Sequence, residues 1–151
     1  MSAFSLRRRL AVAAATAGLL GVALPVASAT AASADPRPGT ITSVTVRPTG
    51  GWDDTGIYLS RGTVVLSGSG TVFVNGNFYG PAGTSSCTGS LAPSLPCNGL
   101  IGEIGSGPVF SIPNTDYLRV FHSGELYLAV NTPTTVTSSF GAFHVGVVGL
   151  P

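Results

Sequence analysis

The chain has 151 residues, seven of them Lys or Arg, six Asp or Glu, and two Cys. No lysine occurs, and three of the seven arginines stand together at the amino terminus, so no basic patch remains to neutralise phosphates and nucleic-acid binding is excluded as an expectation. Once an exported leader is removed, roughly 120 residues remain, enough for one hydrophobic core and too few for two domains.

The leader is the first element in chain order. Arg7, Arg8 and Arg9 precede an apolar run from Leu10 to Val26, and small residues close it at Ala27-Ser28-Ala29 and again at Ala32-Ser33-Ala34. This is the pattern of a signal peptide over 1–34, cleaved after Ala29 or Ala34, and it predicts a secreted, extracellular protein. A transmembrane anchor fits less well, because Gly18, Gly21 and Pro25 interrupt the run; no membrane span is expected in the mature chain. Arg7-Arg8-Arg9-Leu10 also permits a twin-arginine export route, although the ordinary secretory route fits the flanking residues better.

Residues 35–50 form an N-terminal extension with a first strand around Ile41, Val44 and Val46, ending at Pro48 and Thr49-Gly50-Gly51. Gly56–Leu59 predicts the next strand. Thr63–Leu66 and Thr71–Val74 flank Gly68-Ser69-Gly70, which predicts a hairpin with its turn at the glycines. Further strands are expected at 99–104, 109–112, 117–121, 125–130 and 140–148. In Glu125–Val130, Leu126, Leu128 and Val130 should face the core and Tyr127 should face outward; in the last strand Phe143, Val145 and Val147 share the core face and His144 the other. Nothing after the leader has helical periodicity. Many short β-rich runs at close spacing predict an all-β fold, an antiparallel, jelly-roll-like β-sandwich over 51–151.

Cys87 and Cys97 are the only cysteines. In an exported domain such a pair is expected to close as a disulfide around a polar, proline-containing loop, and no Cys-x-x-Cys spacing or nearby histidine supports a redox or metal role. Enzyme motifs are missing where they would be sought. There is no Gly-x-Ser-x-Gly, a serine triad would need His122 or His144 with an acid such as Asp116, and Asp53-Asp54 sits between Gly51-Trp52 and Thr55-Gly56 as a solvated pair. The expectation is that the chain is not an enzyme.

Four stretches carry a family resemblance: Thr55-Gly56-Ile57-Tyr58-Leu59; Tyr79-Gly80-Pro81-Ala82-Gly83; Cys97 to Gly105; and Ser123 to Asn131 with the closing Gly141-Ala142-Phe143. In order and spacing they resemble the PA-IL-like galactophilic lectins, small β-sandwiches that bind sugar through calcium held on the loop after the second-last strand. The resemblance implies a galactose-binding-like, carbohydrate-binding domain, a glycan or galactoside as partner and calcium as cofactor. By the same resemblance the calcium site would draw on the carbonyl of Phe73 and on Asn131, Thr132, Thr135, Ser138 and Ser139. Sugar would be held by Asn131, Thr132 and Thr135, with Trp52 and Tyr79 as stacking rings and Phe78 as a further exposed aromatic.

Thr132 stands where the resemblance calls for an aspartate, and no Asp or Glu follows Glu125. Calcium takes six to eight oxygens and its affinity is set largely by carboxylate charge, so such a site would be neutral and weak. Two functions of different kinds follow: a secreted lectin-like domain, or a calcium-free β-sandwich with a structural or protein-interaction role at the cell surface.

Overall fold

The computed structural model describes residues 35–85, 88–133 and 135–151. The leader expected over 1–34 lies outside the described residues, and so do Ser86, Cys87 and Thr134. Among the described residues no helix is long and apolar enough to cross a membrane.

Nine strands make up the described chain: β1 (Ile41–Val46), β2 (Asp53–Leu59), β3 (Gly62–Val74), β4 (Asn77–Tyr79), β5 (Leu100–Ile104), β6 (Phe110–Ser111), β7 (Thr115–Val120), β8 (Gly124–Val130) and β9 (Ser139–Gly149). They form two antiparallel sheets. The larger runs β1-β9-β3, with β4 and β7 both paired to the far edge of β3, and the smaller runs β2-β8-β5-β6. The pairings nest: β1 with β9, β2 with β8, β3 with β7, β5 with β6. A long antiparallel ribbon folded over on itself gives this order, which is that of a jelly roll.

Alternation decides what lies between the sheets. Leu126, Leu128 and Val130 of β8 meet Phe143, Val145 and Val147 of β9, all at most 1% exposed, together with Val64, Leu66, Val72 and Val74 of β3. Burying each such side chain contributes about 1.5–3 kcal/mol. The phases expected for β8 and β9 are those observed. The first strand, placed in the N-terminal extension by sequence, is the edge of the larger sheet, with six residues in register against β9.

One turn is misplaced by the sequence reading. Gly68-Ser69-Gly70 is not a hairpin turn; it lies inside β3, a continuous strand of 13 residues. Gly68 is there because a Cβ would sit 2.8 Å from Leu100 Cδ2, so the glycine admits a side chain from the opposite sheet. The real hairpin is the next one along. Asn75 (φ 47°) and Gly76 (φ 93°) form the two-residue loop between β3 and β4, both in the left-handed region that the mirror-image turn of a tight hairpin requires.

The two sheets differ on their outer faces. The smaller sheet is roofed at one end by residues 88–98. Ala92 there packs on the buried Ile101 and Ala129, flanked by Trp52, Leu91, Leu95 and Val109. The larger sheet carries nothing comparable among the described residues, and Ile41, Phe78, Tyr117 and Phe140 on it are each more than half exposed.

Candidate functional site

The loops after β3 and β8, the turn after β1 and the cysteine loop gather at one pole of the sandwich. Asn131 organises this pole. As β8 ends, its backbone pairs with the start of β5: Asn131 N–H donates to the Gly99 carbonyl at 2.8 Å and its own carbonyl accepts from Asn98 N–H at 2.9 Å. Its side chain turns into the cysteine loop. Oδ1 accepts from Ala92 N–H at 2.9 Å, while Nδ2 donates to the carbonyls of Ala92 at 2.9 Å, Pro96 at 3.0 Å and Leu95 at 3.2 Å. Fully buried, it takes the place of a neighbouring strand for a loop that has none.

The other end of the β8–β9 loop is held by Asn75. Its Oδ1 accepts from Thr137 N–H at 3.1 Å, Thr137 Oγ1 at 3.2 Å and Ser138 N–H at 3.4 Å. Asn75 N–H donates to the Ser138 carbonyl at 3.0 Å. Ser139 Oγ donates to the Pro48 carbonyl at 2.9 Å, linking the loop to the turn after β1. Between these anchors lies an open cavity of about 320 Å³, lined by Pro48, Thr49 and Gly50 on one side and Thr132, Pro133 and Ser139 on the other.

The base of the cysteine loop is closed by Thr84 N–H to the Cys97 carbonyl at 2.9 Å and Cys97 N–H to the Ser85 carbonyl at 3.1 Å. Cys97 is disulfide-bonded and no free cysteine occurs among the described residues; Cys87, its expected partner, lies outside them. Beside it, Asn98 is buried in a left-handed conformation (φ 58°), and its Oδ1 meets no hydrogen-bond partner among the described residues.

The residues expected to hold calcium are brought to this one pole but are already engaged. Asn131 Oδ1 is turned to Ala92. Phe73 has a strand on each side, paired with Phe78 of β4 and Phe140 of β9, so its carbonyl lies within the sheet. Ser139 donates to Pro48, and Ser138 has both its N–H and its carbonyl on Asn75. The hydroxyls of buried Thr132 and of exposed Thr135 and Ser138 remain. Neutral hydroxyls without a carboxylate do not fit a calcium ion, which needs six to eight oxygens. Among the described residues no group of three or more His, Cys, Asp or Glu is placed to hold a metal.

The stacking rings are also differently placed. Trp52 packs under the cysteine loop, and Tyr79 packs against the main core. Phe78 is 68% exposed and belongs to a cluster that sequence reasoning missed. Phe73 stacks on Phe140 with centroids 4.5 Å apart, and Phe78 meets Phe73 edge to face at 5.1 Å. Period-two alternation counted outward from buried Val72 and Val74 would have found Phe73; placing Phe140 beside it needed the β3–β9 register.

The carboxylates lie elsewhere. Asp53 opposes Leu128 across β2 and β8, and burial raises its pKa against the lowering influence of Arg47. Tyr127 OH donates to Glu125 Oε2 at 2.9 Å, and that hydrogen bond, reinforced by the negative charges of Glu125, Asp54 and Glu103, raises the phenol pKa. His144 Nδ1 is 3.4 Å from Thr45 Oγ1 on the outer face of the larger sheet. At the opposite pole a second, mostly apolar cavity of about 290 Å³ is lined by Ile104, Phe110, Leu118 and Phe121, with Arg119 and His122 alongside.

No family model matches this chain, and no curated protein sequence matches it. Among solved structures, the fold is similar to that of the N-terminal domain of EclA, described as a PllA-like lectin. The TM-score is 0.55 at 23% identity, over 71% of this chain and 94% of that one. The likeness is one of fold.

Proposed function

We propose that this chain is a secreted carbohydrate-binding domain that acts by recognition and not by catalysis, with galactosides the first ligands to test. One observation carries the reading: the sandwich shares its fold with a lectin domain along 94% of that domain's length. The leader pattern supports secretion. A pole of paired loops around a hydroxyl-lined cavity is a common setting for a sugar, though here the loop polar groups serve the fold first.

The deciding experiment is a glycan array probed with mature secreted protein, once with calcium and once with EDTA. Binding that is retained in EDTA is the expected result. Silence across the array in both conditions would leave the second reading, a calcium-free sandwich with a structural or protein-interaction role at the cell surface. That reading draws its support from Asn131 and Asn75, whose side chains are spent on holding loops. Mass spectrometry of the secreted material should show an amino terminus after Ala29 or Ala34; a mature chain retaining Leu19 and Leu20 contradicts export by this leader.

A further inference from the structure

The outer face of the five-stranded sheet is built in rows that the register fixes. One row inside the Thr63–Arg119 end, Ile41, Val148, Val65 and Tyr117 lie side by side across β1, β9, β3 and β7. The next outward row is Ser43, Gly146, Ser67 and Thr115, and the one after it Thr45, His144 and Ser69. The last is aromatic: Phe140, Phe73 and Phe78 across β9, β3 and β4. From Val65 to Phe73 the strand advances about 26 Å at 3.3 Å per residue.

The middle of this face is hollow for a simple reason. Gly146 has no side chain and its neighbours Ser43 and Ser67 have short ones, so a depression of about 300 Å³ opens over them, bounded by Ile41 on one side and His144 on the other. The four strands β1, β3, β4 and β9 contain no Lys, Arg, Asp or Glu. The one charge in phase with these rows is Arg119 of β7, opposite Thr63 at the end remote from the phenylalanines. The middle of the face is therefore uncharged and rich in hydroxyls that both donate and accept, with exposed rings beyond it.

We propose that this sheet face is a calcium-independent cleft for a neutral oligosaccharide, which lies along β3 with one sugar in the Gly146 depression and another on the Phe78–Phe140 rings. The proposal rests on the carbohydrate-binding reading and adds the place, the ligand class and the independence from metal. A sugar offers what the rows require: hydroxyls for the serine and threonine rows and C–H faces for the rings. Nucleic acid would need several cations, and this face has one, Arg119, at its end. A protein partner would need the reverse layout, since interfaces place aromatic anchors at the centre and polar groups at the rim. Here hydroxyls are central and rings are terminal. The matching face of the smaller sheet is covered at one end by the cysteine loop, whereas this one is bare among the described residues.

The test is isothermal calorimetry in EDTA with galactose, lactose, xylohexaose and cellohexaose, on the mature chain and on four variants. The expected result is tighter binding of a hexasaccharide than of either shorter sugar, with Phe78→Ala and Phe140→Ala each weakening it about tenfold, the scale of a lost aromatic contact. Gly146→Val should abolish it by filling the depression. That variant should fold, because a Cβ at Gly146 meets nothing closer than Ile41 Cγ2 at 3.6 Å, an ordinary contact, and β-branched residues suit strands. Thermal melts check this. Thr135→Ala probes the alternative site at the exposed loop pole.

Three outcomes overturn the proposal. If wild-type binding survives the three sheet substitutions but falls with Thr135→Ala, the domain is a glycan binder and its site is the loop pole. If the sheet substitutions change only the sedimentation of concentrated protein, the face joins copies of this chain. If the wild type binds no glycan on the array or in the calorimeter, the carbohydrate reading and the cleft fall together.

Discussion

Asn131 and Ala92 exchange two hydrogen bonds, Ala92 N–H to Oδ1 and Nδ2 to the Ala92 carbonyl, both at 2.9 Å. A primary amide has the donor and acceptor spacing of a peptide group, so one side chain gives the cysteine loop the pairing that an additional strand would give. An ion held by the same Oδ1 would have to displace Ala92.

Substitution of Asn131 separates these two roles. Asn131→Ala leaves a buried N–H and three carbonyls without their partner and should cost about 3 kcal/mol or more, read by urea or thermal unfolding. Asn131→Asp turns an oxygen toward carbonyls that now receive Nδ2 and should also destabilise. A calcium-dependent gain in stability for Asn131→Asp would instead show that the side chain faces a metal.

Asn75 serves in two ways at once, through its left-handed backbone and through three hydrogen bonds to Thr137 and Ser138. Asn75→Ala loses both and should destabilise by about 1–3 kcal/mol. Asn75→Asp keeps the acceptor and tolerates the turn, so it should lie much nearer wild type. Equal losses in the two variants would mean that the hydrogen bonds contribute nothing.

Cys97 is disulfide-bonded, as the export proposed above would favour, so the native protein should show no thiol reactive to a titrating reagent. Cys87→Ala should lower stability by about 2–3 kcal/mol by reopening a loop in the unfolded chain. Two titratable thiols in the native protein would contradict the pairing.

Asp53 has a pKa raised chiefly by burial. Its ionisation therefore opposes folding. Its favourable contribution is complete below the unfolded value of about 3.9 and is lost as pH rises through the higher folded value. Asp53→Asn should be more stable than wild type at neutral pH, with the difference vanishing on acidification. A less stable variant at pH 7 would show that the Arg47 contact outweighs burial.

Strands were legible in the sequence where alternation was regular. Leu126, Leu128 and Val130, or Phe143, Val145 and Val147, announce one buried face with nothing but spacing. The Gly68-Ser69-Gly70 error has the opposite cause. Glycine signals a turn and a close approach equally well, and only the packing of Leu100 against Gly68 distinguishes them. Asn75-Gly76 was the better turn signal, hidden because β4 is only three residues long. The candidate site was less legible for a related reason. Asn131 as a ligand and Asn131 as a scaffold are the same letter, and the difference lies in Ala92, Leu95 and Pro96, more than thirty residues away.

The pairing of β1 with β9 sets the order of events in folding. Val46 must find Phe143, and Ile41 must find Val148, across a separation of nearly the whole domain. Such contacts form late and slowly, because the chain entropy lost in joining distant segments is repaid only once both have arrived. The edge of the larger sheet therefore cannot close until β9 has been made, and β1 waits for a partner through the synthesis of every strand between them.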